Sequence, residues 1–166
     1  MLLLFKGLIV LAALAVITVL AAQLGLFSGT PPADLGVHDG RLKPPATSPN
    51  SVSSQADLYP EHPRRESARI APLALPADAH GDGAAAIARL QTLLAAMPGA
   101  RVVEVRADYL YAQFTTPLMH YVDDTEFWFD PAARVIQVRS ASRIGESDLG
   151  LNRQRIEAIR AALTAR

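Results

Sequence analysis

The chain has 166 residues, half of them apolar, and its 16 basic and 16 acidic side chains cancel. That length allows one modest domain plus extras, and the charge balance excludes bulk electrostatic attraction to nucleic acid. With no cysteine, disulfides, thiolate catalysis and cysteine-ligated metals are excluded, and redox chemistry says nothing about the compartment.

Residues 1–27 are almost wholly apolar. From Gly7 to Ala22 there is no charge and one hydroxyl, Thr18. With Leu2 to Phe5 before it and Leu24 to Phe27 after, the run can cover a ~30 Å hydrocarbon core, broken by Lys6 and Gln23. Lys6 sits near the end and can snorkel. The reading is a transmembrane anchor in contact with the lipid bilayer through residues 4–27. A cleaved signal peptide is the alternative, with Val19-Leu20-Ala21 as a weak small-residue cleavage pattern. The amino terminus and Lys6 put the start on the cytoplasmic side. The rest is then expected on the periplasmic or outer face of an inner (plasma) membrane. Arg41, Lys43, Arg64 and Arg65, beyond the span, run against that rule.

Residues 28–82 hold nine of the twelve prolines. They read as a tether of extended or irregular chain, with the part around Asn50 to Tyr59 packed on the domain as an arm. The domain proper is expected at 83–166. Asp82 opens a helix in which Ile87, Leu90, Leu94 and Met97 recur at helical spacing, and Pro98-Gly99 ends it. Strand signals at Arg101–Arg106 and Tyr109–Thr116 flank Ala107-Asp108 as a hairpin. Its register sets Val105 opposite Leu110 and Val103 opposite Ala112, with Glu104 and Tyr111 on the other face.

A second hairpin turns at Asp130-Pro131-Ala132-Ala133-Arg134. Pairing Asp130 with Val135 sets Phe129 opposite Ile136, Phe127 opposite Val138, and Glu126 opposite Arg139 on the reverse face. A slip of one residue would mix these faces, so the register is strongly selected. A last helix is expected from Leu149 to Leu163, capped by Ser147 or Asp148, with Asn152, Ile156, Ile159 and Leu163 inward. The sum is an α+β fold: an N-terminal transmembrane helix, then a two-layer domain with a four-stranded antiparallel sheet and two helices on one face.

Three blocks of this chain carry a family resemblance. Leu42-Lys43-Pro44-Pro45 leads into Ser48-Pro49-Asn50-Ser51-Val52-Ser53-Ser54-Gln55. Val122-Asp123-Asp124-Thr125-Glu126-Phe127 is followed by Arg139-Ser140-Ala141-Ser142-Arg143, then Ser147-Asp148-Leu149-Gly150-Leu151-Asn152-Arg153. Together, over about Asp39 to Leu163, they resemble the bacterial and plastid family called domain of unknown function 1499. The resemblance implies a membrane-anchored or secreted domain and assigns no chemistry. Family members often carry cysteines where this chain has Pro45 and Ser51, so any role needing those thiols is lost here.

The candidate binding residues are Asp123, Asp124, Glu126, Trp128, Arg139, Ser142, Arg143, Asp148, Asn152 and Arg153. Asp124, Glu126, Arg139 and Arg143 read as a ligand site on an open sheet face or as a cross-strand ion-pair ladder worth ~0–1 kcal/mol per exposed pair. Arginines beside the carboxylates argue against a metal, and no cofactor is expected. Asp123 shares a side with Phe127 and Phe129, so it must be buried and needs donors. Ser142 or Arg153 would supply them. Asp148 reads as a helix cap, or the helix start as an anion site. Trp128 among charges suggests a contact surface. The leading functional expectation is a non-catalytic binding or assembly module, contacting an envelope protein or an anionic ligand. The alternative is a hydrolase-type enzyme using Asp123 or Asp124 with an arginine.

Overall fold

A computed structural model describes residues 1–165. It opens with helix α1, Leu2–Gln23. Over Leu4–Gln23 the mean hydropathy is 2.5, and nearly all of the segment is exposed, Ala22 at its end being buried against the domain. The helix is long and apolar enough to cross a membrane, a property that signal sequences share. There follow β1 (Ser51–Ser53), α2 (Arg65–Ala68), β2 (Leu73–Ala74) and α3 (Gly83–Ala95). Strands β3 (Ala100–Val105), β4 (Tyr109–Thr115), β5 (Val122–Asp130) and β6 (Val135–Ser142) come next, and α4 (Leu151–Thr164) closes the chain.

The strands form one antiparallel sheet in the order β1-β6-β5-β4-β3, with β2 beside β1's place on the outer edge of β6. The sheet therefore has six strands, not the expected four. The two extra strands come from the proline-rich segment. They are three and two residues long, and Ser51-Val52-Ser53 is buried throughout, so neither leaves an alternating pattern. Their effect is to cover an edge of β6 that would otherwise present unpaired backbone groups.

The registers show why these segments are strands. In the second hairpin Phe127 faces Val138, Phe129 faces Ile136 and Glu126 faces Arg139, as alternation requires. In the first, Val105–Leu110 and Glu104–Tyr111 are paired as expected, but Val102 rather than Val103 faces Ala112. A bulge between Val102 and Glu104 absorbs one residue and leaves Val103 exposed. Such bulges concentrate on edge strands, and β3 is one.

Both long helices pack on one face of the sheet. Ile87, Leu90 and Leu94 of α3 and Ile156, Ile159 and Leu163 of α4 meet Leu110, Phe127, Ile136 and Val138 in one apolar core. Asp82 caps α3 by accepting from the Ala84 and Ala85 amides. Gly83 lets that first turn press on the sheet, because a Cβ there would lie 2.1 Å from the Phe129 ring. Helix α4 starts at Leu151, two residues later than expected, because Leu149 and Gly150 both take left-handed backbone angles.

The other face was expected to be open, and it is not. Residues 34–47 cross it as a strap. Leu42 of the strap is buried against Tyr109, Tyr111 and Trp128. Gln55 holds the strap down: its Oε1 accepts from the Leu42 amide at 2.8 Å and its Nε2 donates to the Gly40 carbonyl at 3.0 Å. Tyr59 donates its hydroxyl to the Leu42 carbonyl.

Candidate functional site

Strand alternation puts Asp124, Glu126 and Trp128 of β5 on the strap face, and the strap buries them. Asp124 is held by Arg143, whose Nε and Nη2 donate to its two carboxylate oxygens at 2.8 Å each, and by the Tyr111 hydroxyl. This paired geometry holds the Arg143 guanidinium above its usual pKa. The pair is complete and structural in character.

Glu126 and Arg139 differ. Glu126 is wholly buried. Its Oε1 accepts from the Gly36 amide at 2.7 Å and the Tyr109 hydroxyl at 2.9 Å. Gly36 has φ near +111°, a backbone that side-chain-bearing residues rarely adopt. Oε2 has no hydrogen-bond partner, and the nearest cation, Arg139 Nη1, lies 3.7 Å away. Arg139 is only 4% exposed. Its Nε donates to the Pro44 carbonyl of the strap at 2.9 Å. Neither of its Nη groups donates a hydrogen bond among the described residues. The expected Glu126–Arg139 ladder is thus a buried, incompletely satisfied pair rather than a solvated one.

Burial pushes the Glu126 carboxyl above the usual carboxylate range; the Gly36 amide and the Arg139 charge only partly offset it. Burial also lowers the Arg139 guanidinium from its usual value, against the pull of Glu126 and Asp124. A folded pKa above the unfolded one gives stability that is complete below the ordinary glutamate range and lost as pH rises through the folded value. The groups facing Glu126 are Arg139, Tyr109 and Asp124. Glu126→Gln keeps an acceptor for Gly36 and Tyr109, and is expected to flatten this loss. Urea midpoints of wild type and variant across acid to neutral pH measure it, and parallel curves would refute it.

Arg139 borders a cleft of about 340 Å³ between the strap and the sheet. Lys43 and Thr47 of the strap, Thr30 from the connection to α1, and Ser142 and Arg143 line it with Arg139. Asp124 is the one carboxylate on its wall, and Arg143 already engages it. Lys43 pairs with Asp34 at 2.6 Å in an exposed salt bridge. The hydrogen bond from Lys43 lowers the Asp34 carboxyl from its usual range.

The remaining predicted residues form a second cluster, where the sheet meets α4. Asp123, 2% exposed, accepts from Arg155 Nη2 at 2.6 Å. The donor is Arg155, not the expected Ser142 or Arg153. Arg155 Nη1 also donates to Asn152 Oδ1 at 2.8 Å. Asn152 is fully buried and donates to the Asn50 carbonyl, Ser142 Oγ and Asp148 Oδ2. Asp148 caps α4 from outside, accepting from the Asn152 and Gly150 amides. Arg153 points elsewhere, to the Ser67 and Arg69 carbonyls. Trp128 is 9% exposed under the strap, so it offers no contact surface.

The structure therefore brings Asp124, Arg139, Ser142 and Arg143 to one cleft, with Glu126 beside Arg139. It sends Asp123, Asp148 and Asn152 to the junction, where Ser142 also takes part. Sequence reading missed Arg155, Gly36 and Tyr109; it placed Tyr111 on the charged face and Asn50 in the packed arm without their hydrogen bonds. Arg155 carried a signal, since it stands three residues after inward Asn152 and beside inward Ile156. Gly36 carried none. Among the described residues no cluster of three or more histidine, cysteine or carboxylate side chains is placed to hold a metal.

These features define a small α+β domain on an apolar helix, with a buried polar layer under a proline-rich strap. The family model described as "Protein of unknown function (DUF1499)" matches residues 41–163, and the chain belongs to that family. The positions where the resemblance implied cysteines lie close together here, since Ser51 Oγ accepts from the Ala46 amide at 2.8 Å. No curated protein and no solved structure matches the chain.

Proposed function

We propose that this protein is a membrane-anchored, non-catalytic binding module that takes a small anionic ligand in the cleft beside Arg139. One observation carries this reading. A nearly buried guanidinium borders the cleft, and neither of its Nη groups donates a hydrogen bond among the described residues. Lys43, paired with Asp34, also lines the cleft, and Thr30, Thr47 and Ser142 add hydroxyls. The volume suits a small organic anion or phosphate. Burial of Glu126 weakens the nearest counter-charge to Arg139, which also feels Asp124 and Asp34.

The enzyme reading gains no support from this geometry. Asp123 and Asp124 each hold a guanidinium, and no histidine lines the cleft beside the hydroxyls.

The test is the thermal midpoint of the full chain in detergent, in phosphate or malonate against chloride at matched ionic strength. A bound anion raises the midpoint by mass action. One or both polyanions are expected to stabilise wild type and to leave Arg139→Met unmoved. Equal midpoints in all three salts would overturn the proposal.

The anchor reading rests on α1 and on its junction with the domain. Ala22 is fully buried, and Gln23 Nε2 donates to the Leu118 carbonyl at 2.9 Å. Cleavage of a leader near Ala21 would discard the helix and leave this junction at a frayed end. With Lys6 on the cytoplasmic side, the domain stands on the outer face. A reporter fused at the carboxyl terminus and active only outside the cytoplasm should give signal; silence would reverse the orientation.

A further inference from the structure

We propose that the end of the domain next to α1 docks into the lipid surface through an apolar rim. The rim is formed by the β4–β5 loop and the β6–α4 connection. The inference rests on the reading of α1 as an anchor.

The sheet has two distinct ends. Thr115, Val122 and Ser142 lie at one, and Tyr109, Asp130 and Val135 at the other. Helix α1 meets the first. Gln23 Nε2 donates to the Leu118 carbonyl, the Phe27 and Tyr121 rings stand 6.0 Å apart, and Gly29 packs against Arg143 and Ile144. A helix that crosses a bilayer therefore holds these loops where it leaves the hydrocarbon.

The apolar surface is distributed to match. Outside α1, the exposed large apolar side chains at this end are Leu118, Tyr121, Ile144, Leu149 and Leu151, with Leu24 and Leu26 on the connection. Among the described residues only Leu58, Val103 and Val105 lie elsewhere. Leu149 is 90% exposed and stands in a left-handed backbone, and Leu118 is 61% exposed. Neither has a packing role in the fold. Scattered single apolar residues need no explanation, but a set gathered at one end does. Tyr121 is suited to the headgroup boundary, where tyrosine and tryptophan rings concentrate. The one arginine in these two loops, Arg143, is engaged by Asp124, and Glu146 is exposed beside it, so the occupant is the apolar boundary of the bilayer rather than an anionic headgroup. Docking would fix the domain upright, with the strap and cleft beside the surface instead of swinging on a tether.

The absence of native cysteine makes the test direct. Leu118→Cys, Leu149→Cys and Ala133→Cys are each labelled with an environment-sensitive fluorophore. All three sites are exposed, so the fold is not disturbed, and Ala133 lies in the turn at the far end. The full chain is placed in phosphatidylcholine vesicles with and without nitroxide-bearing lipid. Labels at 118 and 149 are expected to be quenched several-fold more than the label at 133, with no change when phosphatidylglycerol is added. Equal, water-like signals from all three in protein that floats with the vesicles would overturn docking and leave the anchor intact. Protein that fails to float would overturn both.

Discussion

Arg155→Ala is expected to cost about 3–5 kcal/mol, the usual penalty for stripping one partner from a buried ion pair. The loss arises because Asp123 would stay buried with its guanidinium gone, and Asn152 Oδ1 would lose a donor. Arg155 also lies over the Phe114 ring, 4.5 Å from its centre, so truncation opens a gap in the core as well. For a chain of this size the melting temperature should fall by roughly 10 °C. The penalty belongs to the orphaned carboxylate, not to the attraction itself. The double variant Asp123→Asn/Arg155→Ala should therefore be markedly more stable than Arg155→Ala alone. Chemical denaturation of the four corners of that cycle measures it. If the double variant is no better than the single, Asp123 is not the source of the penalty.

The second large effect separates the two arginines at the cleft. Arg143→Ala removes both bonds to buried Asp124 and should destabilise by a similar margin of about 3–5 kcal/mol. Arg139→Met should not. Its nearest carboxylate stands at 3.7 Å without a hydrogen bond, and burial already disfavours ionised Glu126. The penalty for orphaning a buried charge therefore does not apply in full, because a neutral Glu126 leaves no uncompensated carboxylate when Arg139 is replaced. The bond to the Pro44 carbonyl is lost, at about 1–3 kcal/mol if no water replaces it. The account therefore predicts that Arg139→Met folds nearly as well as wild type while losing the anion. Denaturation curves of the two variants distinguish a lock from a site. Comparable losses in both would make Arg139 structural.

Much of the frame was legible because alternation and helical spacing are local. Phe127 and Phe129 against Glu126 and Trp128 defined the β5 faces and, with the turn at Asp130, the pairing with β6. Ile87, Leu90 and Leu94 marked α3, and Asn152, Ile156 and Ile159 marked the inward side of α4. The open face was misread because charge was taken as a sign of solvent. What covers Glu126 and Arg139 is a strap without periodicity, joined through bonds such as Gly36 to Glu126 that span ninety positions. No pattern near Gly36 announces that contact. The strands β1 and β2 were missed for a related reason, being too short to show a period. Burial then changes the chemistry of residues that were correctly singled out. Asp124 and Arg143 became a sealed pair, whereas Arg139 kept unused donors.

The central claim is that those donors take an anion. Arginine labelled with nitrogen-15 gives each Nε–H a resonance, and Arg139's is protected by its bond to Pro44. On titrating the full chain in detergent with inorganic phosphate, and separately with malonate, the Arg139 resonance should shift and saturate with at least one of them. The Arg155 resonance, bound to Asp123 at the junction, should stay still. An Arg139 resonance that does not move with either anion, or that moves only in step with the exposed arginines, would contradict the account.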